Sequence, residues 1–249
     1  MESDTKSIGV VNFMNKILNK IKKELKTNVD LKYKEGFKNF FKKNEKINLI
    51  GTRSPIVKKI SSKYYKKIAY KNKLEIFNLC EKLLEKKTCE ETSIAFNWAH
   101  RQNKNLTKKD FFIFEKWLKK YVNNWAFCDD FCTHAFGELI FKYPQCLPRV
   151  KTWAKSKNRW LRRASAVILI YSVRQEKYLK NILKTADILL QDSDDLVQKG
   201  YGWSLKVASN TFPKEVLEFI MKRKNKMPRT ALRYAIEKYP KEMKSKAMK

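Results

Sequence analysis

Apolar residues in this chain recur at intervals of three and four, in stretches of helix length separated by short polar gaps. A chain patterned this way buries one stripe per helix, so it must pack helix on helix. Near the start, Val11, Met14, Ile17, Leu18, Ile21 and Leu25 form one stripe among lysines, and a second short helix is expected through Phe37, Phe40 and Phe41. Gly51 and Pro55 mark a turn, with Ser54 and Pro55 as a helix start. Helices are then predicted over 56–69, 72–86, 90–102, 107–121, 123–142, 147–156, 158–173, 177–190, 193–209, 212–224 and 227–239. Glycine and proline number only six each, too few for a fold built on many tight turns. No segment alternates with the period of a strand. Short connections imply antiparallel neighbours. Helix pairs of roughly 35–45 residues match the size of HEAT and armadillo units. The expected fold is therefore all-α, a HEAT-like helical-repeat solenoid with a concave face. An irregular helical bundle is the blander alternative.

Composition bears mainly on partners. Hydrophobic residues make up 43% of the chain, enough to build a core and to argue against disorder. Lys and Arg total 56 against 25 Asp and Glu, a formal net charge of +31. Charge of one sign on this scale points to a polyanion. A proteome rich in Lys and Asn raises the count everywhere, however, so charge alone favours nucleic acid only in part. The cysteines Cys80, Cys89, Cys128, Cys132 and Cys146 are odd in number and lack the spacing of a secreted framework. The early apolar stretches are interrupted by Lys, and no run approaches the ~18 residues of a membrane span. A cytoplasmic protein with no membrane contact is expected. There is no Walker A loop and no G-x-G-x-x-G.

The most informative segment is NNWAFCDDFCTHAFGELIFKY, over 123–143. On a helix, Trp125 and Asp129 stand one turn apart on one face. Cys128, Cys132, Phe136 and Leu139 are expected on the same broad side, while Asp130 points about 100° away. A carboxylate among apolar neighbours is costly unless it has a partner or a task, and the pattern leaves both readings open. His134 falls well off the side of Cys128 and Cys132, and no fourth ligand is evident, so no metal site is expected. His100 and His134 are too isolated to pair with a nucleophile. Trp98, Trp117, Trp153 and Trp160 read as packing residues. The Lys runs at 19–23, 119–120 and 222–226 read as solvated faces, with one or more along a nucleic-acid path.

Four stretches in order resemble the DNA alkylation repair family of AlkD-like DNA glycosylases. GTRSPIVKKI (51–60) resembles its Gly-x-Arg-x-Pro element, and NNWAFCDDF (123–131) is similar to its Trp-x-x-x-Asp helix. NRWLRRASAVILI (158–170) resembles its Trp-Leu-Arg-Arg helix, and VQKGYGWSLKVAS (197–209) its Gln-Lys-x-x-Gly-Trp-x-Leu helix. LRYAIEKYP (232–240) fits the usual last helix. The resemblance runs over about 45–240, within a single domain spanning 1–249 whose basic N-terminal helices join the same array.

The resemblance implies excision of cationic N3- or N7-alkylated purines from duplex DNA by a monofunctional glycosylase, a monomer with no cofactor. Asp129 takes the catalytic position, and Trp125 and Trp203 flank it. Arg163 takes the arginine of the Trp-Leu-Arg-Arg helix, with Arg162 as the alternative, and Lys199 joins the lesion-binding set. The chemistry fits these residue types. Cleavage builds oxocarbenium character on the sugar, which a fixed carboxylate stabilises and aromatic faces favour. An arginine fork suits phosphate. Two other classes stay open: a non-catalytic nucleic-acid-binding solenoid, and a HEAT-like scaffold for protein partners.

Overall fold

The computed structural model describes residues 2–41 and 47–249, with the backbone alone for 2–11 and Lys38. The chain is 72% helical, and the described residues hold no strand, only an isolated antiparallel bridge between Val29 and Thr52. It divides into two compact units, 1–105 and 106–249.

The first unit contains α1 (Glu2–Thr27), α2 (Leu31–Phe37), α3 (Ser54–Lys66), α4 (Lys73–Leu84) and α5 (Cys89–Arg101). Met14, Ile17, Ile21 and Leu25 of the α1 stripe are buried, and α1 packs on α3 and α4. Val11 lies outside the described side chains. Phe37, Phe40 and Phe41 do not share one helix. α2 stops at Phe37, a single 3-10 turn carries Phe40, and Phe40 is 70% exposed. The three rings lie against one another instead, at 5.4 to 6.0 Å for Phe37 with Phe41 and Phe40.

The GTRSP turn acts as a clasp. The buried Glu90 carboxylate, in the first turn of α5, accepts hydrogen bonds from the backbone N–H groups of Ile50, Gly51 and Thr52 at 2.7 to 3.0 Å. Three amides wrapped on one carboxylate satisfy a buried charge without a cation. Thr52 Oγ1 donates to the Leu25 carbonyl, and Arg53 Nε to Asp30, so the turn also holds the end of α1 and the start of α2. Pro55 occupies the first turn of α3, where its missing N–H costs nothing. Gly51 sits at φ +113°, and a Cβ there would lie 3.0 Å from Lys34 Cβ. Gly51→Ala is expected to destabilise the protein by about 1–3 kcal/mol, read as a lower urea midpoint.

The second unit contains α6 (Asp110–Tyr121), α7 (Trp125–Thr133), α8 (Ala135–Lys142), α9 (Leu147–Trp153), α10 (Arg159–Val167), α11 (Leu169–Val173), α12 (Leu179–Ile188), α13 (Asp195–Ala208), α14 (Pro213–Met221), α15 (Arg229–Ala235) and α16 (Lys241–Met248). α10 is central, packing on α13, α7, α9, α12 and α6. Two helices expected to be continuous are broken. The 123–142 segment turns at His134 (φ −122°, ψ −102°), where a Cβ on Gly137 would come within 2.4 Å of the Cys132 carbonyl. Only glycine permits that fold-back. The break moves Phe136 and Leu139 onto α8, off the helix face of Trp125 and Asp129. The 158–173 segment loosens at Ile168. α16 lies beyond the helices that the apolar spacing predicts, because Ala247 is its one buried residue and it carries no apolar stripe.

Phe111, Phe114, Trp117, Phe131, Phe136 and Trp153 form a ring cluster joining α6 to α9, with Phe114 and Phe131 at 5.1 Å. Beneath it, Glu115 accepts from Arg149 Nε at 2.9 Å and Trp153 Nε1 at 2.8 Å, and pairs with Lys119 at 3.0 Å. Burial raises the affinity of this carboxyl for a proton. The bonds from Arg149, Trp153 and Lys119 outweigh it and hold the group below its ordinary 4.5. A depressed folded value makes its stabilisation fully present above that range and lost as pH falls through the folded value. Urea titrations of Glu115→Gln should therefore show lower stability than wild type at neutral pH. The gap should close in acid.

Candidate functional site

The site lies in the second unit, on three helices whose starts are capped by side chains. Asn124, buried, accepts from the Phe127 N–H at 2.9 Å and begins α7 at Trp125. Asn158 caps α10 through Trp160 N–H, and Asp194 caps α13 through Leu196 N–H. With α7 started there, Trp125 and Asp129 fall one turn apart on one face. Phe127, Cys128, Phe131 and Cys132 turn into the core. Cys128 Sγ reaches the Trp160 carbonyl at 3.7 Å, tying α7 to α10. Burial pushes the Cys132 thiol well above its ordinary value, so it stays a neutral packing group.

Asp129 and Arg163 form a bidentate ion pair. Arg163 Nε donates to Asp129 Oδ1 at 2.8 Å and Nη2 to Oδ2 at 2.7 Å. Nη1 donates to the Leu196 carbonyl, at the head of α13. The Arg163 side chain is 6% exposed and that of Asp129 17%, so the arginine is the more enclosed of the two. Burial pushes the Asp129 carboxyl up from its ordinary value, and the bonds and charge of Arg163 oppose that. The guanidinium's fork geometry favours the ionised form of the carboxylate.

Room for Arg163 comes from Gly200. A Cβ there would lie 3.0 Å from Arg163 Cγ and 3.4 Å from Nη1. Gly202, on another side of α13, permits the contact with α15, where a Cβ would meet the Ala231 carbonyl at 2.7 Å. Trp203 follows Gly200 by one turn on the same side of α13. Among the six tryptophans, Trp125 and Trp203 are the half-buried ones, and the other four are buried at 0 to 9%. Lys199, one turn before Trp203, is half-exposed and pairs loosely with Asp195 at 3.4 Å.

Arg162 has a different task. It donates to Asp192 at 2.6 and 3.3 Å and to the carbonyls of Ser156 and Lys157, while Arg159 pairs with Asp194. The three arginines of α10 thus hold the segment 192–196 that leads into α13. The structure brings Asp129 and Arg163 into direct contact, sets Trp125 beside Asp129, and turns Arg162 toward a loop. The sequence reading passed over Gly200, Asp192 and Asp194. Gly200 carried a usable signal, since a glycine inside a helix costs about 1 kcal/mol and implies a packing reason. Among the described residues no group of three or more His, Cys, Asp or Glu is placed to hold a metal ion. No described helix is long and apolar enough to cross a membrane.

These features define an all-α helical-repeat protein whose second unit carries a bidentate aspartate–arginine pair with a half-buried tryptophan one turn from the aspartate. The chain belongs to the DNA alkylation repair enzyme family, whose model matches residues 21–239. A solved structure described as a predicted DNA alkylation repair enzyme from Enterococcus faecalis has the same fold. It is 17% identical, with a TM-score of 0.76 over 86% of this chain and 98% of its own. The crystal structure of smu.31 from Streptococcus mutans UA159 is 22% identical over 78% of this chain and 94% of its own, with a TM-score of 0.49. No curated protein matches the chain. Family membership gives it a role in DNA alkylation repair, with DNA as the substrate.

Because Gly200 makes space for Arg163, Gly200→Leu should cost about 1–3 kcal/mol through overpacking, seen as a fall in Tm. Gly36, on α2 with nothing within 4 Å of a built Cβ, is the contrast. Gly36→Ala should be neutral or stabilising by up to about 1 kcal/mol.

Proposed function

We propose that the protein is a monofunctional DNA glycosylase that hydrolyses the N-glycosidic bond of cationic N3- or N7-alkylated purines in duplex DNA. The observation that carries this reading is the Asp129 carboxylate, fixed by two hydrogen bonds from Arg163 on a side chain that stays 17% exposed, one helical turn from Trp125. Such a group is preorganised before any substrate arrives. A carboxylate held this way stabilises the positive charge that develops on the sugar and can orient the attacking water. The leaving base is already cationic and departs as a neutral purine, so this chemistry requires no metal or organic cofactor. Trp125 and Trp203 offer π-faces to the cationic base or sugar, and the net charge of +31 favours the DNA backbone.

On this reading Arg163 works through Asp129. Its guanidinium is enclosed and its fork is taken by the carboxylate, so contact with phosphate falls to more accessible cations such as the half-exposed Lys199. We take the active form to be a monomer acting in the cytoplasm. One observation favours a second reading, a DNA-binding member of the family without excision: both Asp129 oxygens already have a partner, as in a purely structural ion pair.

The two readings separate in three variants assayed on methylated duplex DNA for released bases. Asp129→Asn leaves Arg163 buried without its counter-charge, so it should lower stability by about 3 kcal/mol. It should also cut excision by on the order of 10²–10³. Adding Arg163→Met removes the stranded charge and should restore much of the stability while excision stays lost. Asp130→Asn, whose side chain is 43% exposed and pairs with His134, should excise nearly as wild type. Recovery of excision along with stability in the double variant would make the pair structural. A wild type that releases no alkylpurine would leave the binding reading in its place.

A further inference from the structure

A second cleft, of about 290 Å³, opens in the second unit between α9, the start of α11 and α12. None of its lining residues belongs to the Asp129 site. Leu147, Val150 and Leu169 form an apolar floor, with Val150 and Leu169 buried. Above that floor stand four polar side chains: Lys151 from α9, and Asn181, Lys184 and Thr185 from α12.

None of these four side chains makes a hydrogen bond or ion pair with a described residue. Thr185 is 4% exposed, yet its hydroxyl makes no hydrogen bond to any described residue. The residue lines the cleft, where its hydroxyl can donate to or accept from a ligand. The Asn181 amide is likewise unengaged among the described residues. Lys151 and Lys184 are exposed and make no ion pair with a described residue, although Arg149, Glu115 and Asp187 close by are all paired.

We propose that this cleft binds a nucleoside monophosphate. Two unpaired lysines on facing helices suit a phosphate monoester, which carries close to two negative charges at neutral pH. An amide that both donates and accepts, with a hydroxyl beside it, suits the edge of a base. The aliphatic floor takes the ring face or the sugar. The volume lies at the lower end of small-molecule sites, which begin near ~300 Å³. It suits one nucleotide and is too small for a strand. This inference does not rest on the glycosylase reading, because its readout is binding and involves no excision.

The test is equilibrium dialysis of the full chain with labelled AMP at moderate ionic strength, with adenosine and inorganic phosphate as competitors. AMP should bind saturably at one per chain, and each competitor should be at least ten-fold weaker than unlabelled AMP. Lys151→Gln with Lys184→Gln should weaken AMP binding at least ten-fold, and Thr185→Val should weaken it measurably with the helix content unchanged. Lys22→Gln with Lys23→Gln, the same charge change on an exposed stretch of α1, should leave it intact. Several outcomes would overturn the proposal: no saturable AMP binding, binding that survives loss of Lys151 and Lys184, or equal loss in the α1 variant, which would reduce it to general charge attraction. The Lys151/Lys184 variant should retain whatever excision the wild type has, which keeps this test independent of Asp129.

Discussion

The second unit is organised around one buried ion pair. An aspartate and an arginine withdrawn from water are individually expensive, and only close, bidentate geometry with further hydrogen bonds offsets the desolvation. Asp129 and Arg163 meet that requirement, and meeting it constrains three helices at once. α7 must begin at Trp125 for the carboxylate to face α10. α10 must lie close enough for the fork to engage. α13 must present the Leu196 carbonyl to the remaining nitrogen and a glycine at 200 where the arginine stem passes. Mispositioning any of the three strands a charge, so the pair reads equally as a fold determinant and as a preorganised electrostatic group.

The clasps around it follow the same logic with less burial. Arg159 and Arg162 hold Asp194 and Asp192 at the head of α13, and Glu115 gathers Arg149, Lys119 and Trp153 beneath the aromatic cluster. In the first unit Glu90 binds three backbone amides in place of a side-chain cation. In a chain with 31 more positive than negative charges, acidic residues are scarce, and many of the described ones serve as fixed anchors. The surplus lysines are left at the surface, where they can meet a polyanion without disturbing the interior.

Much of the fold was legible beforehand. The three-and-four spacing located the helices from Ser54 to Ala235 to within a few residues, because each buries one stripe and the stripe is written in the order of residues. The misses have local causes. α16 buries too little to leave a stripe. The break at His134 depends on how closely Gly137 approaches the Cys132 carbonyl, a contact that no periodicity encodes. At the site, Trp125 and Asp129 were paired by helical spacing alone, and the buried roles of Trp98, Trp117, Trp153 and Trp160 followed from the same reasoning.

By itself, then, the sequence determined an all-α repeat architecture, a strongly basic surface, and a carboxylate one turn from a tryptophan, since these depend on composition and on neighbours along the chain. Tertiary structure alone decided what the arginines do. Arg162 and Arg163 are adjacent and chemically identical, yet the 100° between successive residues on a helix turns one toward Asp192 and the other into Asp129. Which of them meets the carboxylate depends on where α7 and α13 pack against α10, and that is fixed by contacts between residues more than thirty positions apart.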